Sequence, residues 1–276
     1  MVLPSRSTST TGKITAESVQ PVPAAHRWVG GGFVPAVSSG ELVAADSWLV
    51  VDGRVRDLPA HHRRFTAAVS GFRDMPIGRV REFLAALPGL VPARGRWFPR
   101  VECGPGASGL ELRLVVRPAP PPAEEVVVAP HRGRDPRRAP RVKGPDLPAL
   151  VRLRDGAAAV GAGELLLTDE NGLVLEGALS SVVWWRDDVL CVPPPELPVL
   201  PGVTRARLVR LAWERGITVR PERVRLPDLD GLEVWTLSAL HGIRSVAGWA
   251  DCALLAGPAL RRRGWQRLLT GLAEPW

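Results

Sequence analysis

Residues 164–216 carry two apolar hairpin patterns followed at once by a helix, and this order constrains the rest of the chain more than any other stretch. ELLLTDENGLVLEG (164–177) turns at Asn171-Gly172, a pair that readily adopts the positive φ angles of a type I′ turn. SVVWWRDDVLCVP (181–193) turns at Arg186-Asp187-Asp188. After Pro201-Gly202, residues 203–216 place apolar side chains at helical period up to a glycine stop. A single carboxylate, Glu176, interrupts the apolar end of the first hairpin. Burying it unpaired costs several kcal/mol, so the fold must bring a cation to it. That cation is either an arginine of the chain or the protonated nitrogen of a bound heterocycle.

The remaining periodicity divides the chain. Residues 1–25, rich in Ser, Thr and Pro, read as a flexible tail. Strands are expected over 27–36 and over 46–58, the latter turning at Asp52-Gly53, with helical spacing over 60–72 and 80–87. Three further β-patterns cover 96–104, 110–120 and 124–130, completing a smaller domain at 26–130. The Arg- and Pro-rich stretch 131–142 reads as a linker, and 143–276 as a larger domain. Beyond the two hairpins that domain holds a helix over 147–162, strands over 217–226 and 233–249, and a terminal helix from about 258. Strands and helices mix without a βαβ rhythm, which predicts an α+β fold.

Composition narrows the partners. With 276 residues, 45% hydrophobic and 23% charged, the chain is globular and not disordered. No apolar run approaches the ~20 residues of a membrane span, and the first 25 residues lack a signal-peptide core, so a cytoplasmic location is expected. Cys103, Cys191 and Cys252 match no metal or redox spacing and read as small hydrophobes. The net charge of +8 is concentrated in 131–143 and at Arg261–Arg263, without an aromatic-interleaved basic motif. It favours a solvated linker and an anionic small ligand over nucleic acid. His61 and His62 have no carboxylate or cysteine spaced to share a metal, and read as surface residues of a helix.

Two more elements bear on chemistry. Lys143 ends the basic stretch before Gly144-Pro145. A lysine becomes a nucleophile when burial and nearby cations keep its amine neutral; otherwise Lys143 is an ordinary linker residue. Leu-Pro-Gly-Val-Thr-Arg (200–205) opens a helix whose first amides lack intrahelical acceptors. Those amides suit an anion such as phosphate, with Thr204 as an added donor, or an ordinary N-terminal cap.

Together these residues carry a resemblance. Lys143, EGALSSVVWW (176–185), LCVPP (190–194), VLPGVTR (199–205) and VWTLSALHGIRSV (234–246) are similar, in that order, to the class IV aminotransferase family of pyridoxal phosphate enzymes. The family includes branched-chain and D-amino-acid aminotransferases and 4-amino-4-deoxychorismate lyases. The likeness runs from Lys143 to about Val246 and is traceable over 46–65. It implies a two-domain α+β fold of type IV with the cofactor between the domains, a homodimer, and a small amino substrate. Lys143 would hold the cofactor and carry the substrate's α-proton, and Glu176 would meet the pyridine nitrogen. Leu200 would pack on the ring, while Val203 and Thr204 would bind phosphate. Arg64, three residues after His61, falls where the family places a phosphate-binding arginine. Ser238 and Ala239 would line the phosphate or substrate side. Arg100, His241 and Arg244 are the candidates for contact with substrate.

The chain departs from the family's pattern in places. Ala45-Asp46-Ser47-Trp48-Leu49-Val50 replaces Gly-Asp-Gly-x-Phe-Glu-Thr, and Ser180-Ser181 stands where a Ser-Asn pair is usual. The chain has no tyrosine, and Pro148 occupies the place of the phenol that many aminotransferases carry five residues after the lysine. The lyases are similar in lacking that phenol, and SALHGIRSV resembles their Asn-Ser-Leu-Arg-Gly-Val-Arg-Pro-Val. The resemblance therefore implies a 4-amino-4-deoxychorismate lyase-like activity, with an amino-acid aminotransferase as the alternative. A third reading is a scaffold without catalysis that serves as a basic binding module.

Overall fold

The computed structural model describes residues 24–37 and 40–276. The sequence expectation for 1–23 lies outside them; Ala24 and Ala25, assigned above to the tail, already belong to the first strand. The chain runs β1 (Ala24–Trp28), β2 (Phe33–Ala36), β3 (Ala44–Ser47), β4 (Val50–Val51), β5 (Arg54–Arg56), α1 (Leu58–Val69), α2 (Ile77–Ala85), β6 (Arg96–Trp97), β7 (Arg100–Gly106) and β8 (Gly109–Val116). It continues through β9 (Glu125–Pro130), α3 (Leu147–Gly156), β10 (Glu164–Thr168), β11 (Val174–Gly177), β12 (Ser181–Arg186) and β13 (Val189–Val192). The remaining elements are α4 (Val203–Glu214), β14 (Val219–Pro221), β15 (Glu233–Ser238), β16 (Gly242–Trp249), α5 (Arg262–Gly271) and β17 (Ala273–Pro275).

Two large sheets make an α+β molecule of two lobes, as the sequence implies. The first has the order β2-β1-β8-β7-β3, and its core gathers Trp28, Phe65, Phe83, Leu112 and Leu114 beneath α1 and α2. The second has eight strands, β11-β10-β9-β16-β15-β12-β13-β14. A small third sheet, β17-β5-β4-β6, joins the end of the chain to the first lobe.

Turn chemistry explains the local geometry. Asp52 and Gly53, at φ 47° and 71°, close β4 on β5. In the β10–β11 turn the Asp169 carboxylate accepts from the amides of Asn171 and Leu173 at 2.9 and 2.7 Å, while Gly172 takes φ 77°.

Several expectations change. β9 sits between β10 and β16, parallel to both, so residues assigned above to the smaller domain complete the second sheet. The expected single strand over 233–249 is the hairpin β15–β16. Its turn holds because the Ser238 hydroxyl accepts from the His241 amide at 3.1 Å and Gly242 adopts φ 72°. Trp184 and Trp185 point to opposite faces but both are buried, since this sheet is covered on each side. Trp185 packs with Trp235 and Trp265 at ring distances of 5.5 and 5.6 Å.

The segment between the sheets ends against the first lobe. The Ala45 amide on β3 donates to the Lys143 carbonyl at 2.7 Å. Gly144 follows at φ 135°, and a Cβ there would lie 2.7 Å from backbone atoms of Ala44 and Ala45. Only glycine allows the two backbones this approach. Gly144→Ala is expected to destabilise the protein by roughly 2–3 kcal/mol, read as a lower midpoint in urea with an unchanged slope.

Candidate active site

The site begins at a carboxylate with no solvent contact. Asp46, on β3, is 0% exposed. Its Oδ1 receives the His61 ring Nδ1 at 2.8 Å and Arg64 Nη2 at 2.7 Å, and its Oδ2 receives Arg64 Nε at 2.8 Å. Burial opposes ionisation, but Arg64 and His61 outweigh it and hold the Asp46 carboxyl well below the usual range. The helical period of α1 puts His61 and Phe65 on its buried face and brings Arg64 beside them. His61 is thus not the surface histidine expected from sequence: it is 2% exposed, and burial pushes its imidazole pKa down even against the pull of Asp46. His62 is half-buried against Trp48 and burial lowers it to about 4. Among the described residues no three His, Cys, Asp or Glu side chains cluster to hold a metal.

Arg64 links this group to the second lobe, since its Nη1 donates to the Pro201 carbonyl at 3.1 Å, just before α4. Lys143 lies in the field of both. Burial, then the charge of Arg64, lowers its amine to about 8, with Arg117 adding to the effect and Asp46 and Glu176 opposing it. Arg117 is held by the Phe98 carbonyl at 2.8 Å and the Ser47 hydroxyl at 3.3 Å, its guanidinium 4.8 Å from the Phe98 ring centre.

Glu176, on β11, is buried and paired. The Leu200 amide donates to its Oε1 at 2.9 Å, and Arg137 Nη1 bonds the same oxygen. Burial lifts its carboxyl to about 7 against Arg137, the Leu200 amide and Arg205. Of the two partners that the sequence allows, an arginine of the chain is therefore present. It comes from the stretch read as a solvated linker, whose Arg137 side chain is only 3% exposed.

Val203 and Thr204 open α4, and no side chain caps that end. They line a small cavity with Arg56, His61, Leu49 and Ala239. A larger cavity of about 590 Å³ is bounded by Arg63, Arg64, Arg141, Lys143, Pro201 and Arg205. The buried Nη1 of Arg205 has no hydrogen-bond partner. Cationic side chains and open helix amides give this region the chemistry of an anion site.

The other candidates are placed as follows. Ser238 caps the β15–β16 turn, and the Ala239 carbonyl accepts from Arg56 Nη2 at 3.1 Å. Arg100 pairs with Glu102 on β7 at 2.5 Å. His241 stands in a turn and not in a strand; its Nδ1 accepts from the Ala123 amide at 3.2 Å, and burial lowers its pKa to about 4, with Arg244 and Arg96 adding to the effect. Arg244 pairs with buried Glu164 at 3.4 Å, where the Ser180 hydroxyl also donates at 2.8 Å. Asp46, Arg117 and Arg137 escaped the sequence reading. The His61-x-x-Arg64 spacing was the one available sign that α1 faces a carboxylate, and nothing in the sequence marks Arg137 among its neighbouring arginines.

A family model described as amino-transferase class IV matches residues 44–249. The chain belongs to this family. Its curated relatives include a bifunctional aminodeoxychorismate lyase / D-amino acid transaminase of Mycobacterium tuberculosis, 34% identical over 92 residues, which are 30% of this chain and 32% of the relative. The branched-chain-amino-acid aminotransferase of Escherichia coli K12 is 32% identical over 120 residues, 41% of this chain and 39% of the relative. The matched stretch thus spans between about a third and two fifths of each relative's length. Among solved structures, a hypothetical aminotransferase from Mycobacterium tuberculosis in its PLP-bound form superposes with a TM-score of 0.72 at 20% identity, covering 90% of this chain and 98% of that one. This likeness establishes the fold.

Asp46→Asn leaves Arg64 and His61 without their shared anion, and is expected to cost about 3–5 kcal/mol of stability at pH 7. Because the folded-state pKa of Asp46 is depressed, its contribution is full above pH ~4 and fades as pH falls further. The gap between wild type and variant in urea denaturation should narrow accordingly in acid.

Proposed function

We propose that this chain is a pyridoxal phosphate-dependent enzyme resembling 4-amino-4-deoxychorismate lyase, releasing pyruvate from an amino-substituted, chorismate-type substrate. The observation that supports the reading best is the convergence of a lysine of lowered pKa, a buried carboxylate and an uncapped helix start beside an arginine. These groups fit the cofactor chemically. The uncapped amides of Val203 and Thr204, with Arg64, suit its phosphate, and Glu176 suits its ring nitrogen. The small-molecule site would lie between the two lobes of a cytoplasmic homodimer.

Bound pyridoxal phosphate supplies an electron sink for the pair released at the substrate's Cα. Lys143 Nζ would hold the cofactor and would carry the substrate's Cα proton. An amine near 8 suits both tasks, because about half of it is neutral at that pH. Glu176 would hold the ring through its nitrogen, and the Leu200 amide orients that carboxylate. Arg64 is fixed on Asp46 through Nε and Nη2, and its Nη1, now on the Pro201 carbonyl, would be the group available to phosphate. Arg63, Arg141 and Arg205 give the adjoining cavity a charge that draws in anionic substrates.

The lack of tyrosine and Pro148 at its place favour the lyase over an aminotransferase. The second reading, an amino-acid aminotransferase, has support in the relatives' names, one of which covers both activities.

Purified protein mixed with pyridoxal phosphate should turn yellow and be trapped covalently by borohydride, and Lys143→Ala should abolish the trapping. Colourless protein that traps nothing overturns the enzyme reading; nucleic-acid binding that survives Lys143→Ala would then support the basic binding module. Because the Lys143 pKa is lowered, initial capture should rise with pH around a midpoint near 8, not near the 10.5 of an ordinary lysine. Pyruvate release without a 2-oxo acid acceptor identifies the lyase, and dependence on that acceptor the aminotransferase.

A further inference from the structure

Arg137 is the most completely committed cation near the site. Its Nε bonds both carboxylate oxygens of Asp135, at 2.8 and 3.1 Å, and its Nη2 bonds Asp135 Oδ2 at 2.7 Å. Nη2 also donates to the Pro198 carbonyl at 2.9 Å, and Nη1 reaches Glu176 Oε1. Every guanidinium nitrogen is engaged, so no edge remains for a substrate carboxylate. The Pro198 contact sits two residues before Leu200, whose amide bonds the same Glu176 oxygen. Both donors thus converge on Oε1, and no described hydrogen bond takes Oε2.

We propose that Asp135 and Arg137 form a positioning pair that keeps Glu176 an oriented carboxylate, Oε1 bound to protein and Oε2 given to the cofactor's ring nitrogen. This inference rests on the pyridoxal phosphate reading. A buried carboxylate facing a heterocyclic nitrogen can share one proton in two ways: as carboxylate with protonated nitrogen, or as neutral acid with neutral nitrogen. Desolvation favours the neutral arrangement, and a fixed guanidinium on the carboxylate favours the charged one. The other charged groups acting on Glu176 are Arg205 of α4 and Lys143. Arg137 is the cation that bonds the carboxylate, whereas Arg205 and Lys143 have no described hydrogen bond to it, which leaves Arg137 as the dominant cation. Asp135 fixes the guanidinium in place through a two-pronged contact and, being partly exposed, completes the charge balance towards solvent.

The test uses full-length protein loaded with pyridoxal phosphate labelled with ¹⁵N in the ring. The nitrogen chemical shift reads protonation directly, and the dissociation constant for the cofactor is measured alongside. Wild type should show a protonated nitrogen across pH 6–8. In Arg137→Met the signal should move to the neutral-pyridine position, with cofactor affinity weakened about tenfold. Arg137→Lys should restore part of the protonated signal, which a purely structural role would not predict. Asp135→Asn, a milder change on a more exposed side chain, should give an intermediate shift, and it carries the test if Arg137→Met does not fold. A protonated nitrogen that is unchanged in the folded variants, or a neutral one in wild type, overturns the proposal. Failure of wild type to bind the cofactor overturns the enzyme reading instead, so the two failures are distinguishable.

Discussion

The ion cluster around Asp46 is the interaction on which the site geometry depends. A carboxylate without solvent contact must be met by donors, and here α1 supplies His61 and Arg64 from one face while the Ser47 amide adds a third at 2.7 Å. This fixes the rotation of α1 against β3. It also leaves one edge of Arg64 directed at the loop before α4, a contact between the lobes that is joined by Arg56 on the Ala239 carbonyl and by Arg207 of α4 on Asp57. On the neighbouring residue of β3 the Ala45 amide holds the Lys143 carbonyl, so one short strand positions the arginine and the lysine together. Replacing such a cluster by apolar side chains preserves packing in some folds; here it would remove the Arg64 charge that adds to burial in lowering the Lys143 amine.

Local signals were legible and long-range pairings were not. Asp52-Gly53 marks its turn because few residue types accept positive φ; at Asn171-Gly172 the turn is present but only the glycine takes positive φ, so the expected type I′ geometry does not form, while the helix after Pro201-Gly202 starts where its open amides predict. The β15–β16 hairpin was hidden because its turn uses Ser238 and Gly242 inside an apolar run, with no Asn-Gly or Asp-Gly pair to mark it. For Trp184-Trp185 alternation predicts that the two side chains take opposite faces, but not that both faces are covered. The strand at 125–130 joins the sheet that follows it in sequence because pairing partners, which periodicity does not specify, lie at 164–166 and 245–249.

Within the site, residue types were easier to anticipate than their partners. Lys143, Glu176 and the start of α4 could be picked out because each needs an unusual environment, and Arg64 because its spacing from His61 resembles the family's. Arg137 could not, since it is one of many arginines and gains its meaning from Glu176, which lies 39 residues away in sequence. The stretch 131–142 thus has two characters. Its exposed residues, among them Arg132 and Arg134, fit the expected solvated linker, whereas the Arg137 guanidinium is enclosed as deeply as a core side chain.

The small third sheet gives the chain an unusual order of assembly. β17 pairs with β5 through Ala273–Arg56 and Pro275–Arg54, and the Trp276 amide bonds the Gly53 carbonyl. Contacts separated by more than two hundred residues are among the slowest to form, because the loop they close must be ordered first. During synthesis the β4–β5 hairpin therefore emerges early and waits, one edge unpaired, while the whole second lobe is made. Trp48 waits with it, since one of its ring neighbours is Trp276. The nascent first lobe is thus left with an open strand edge and an incomplete aromatic cluster until residues 273–276 leave the ribosome.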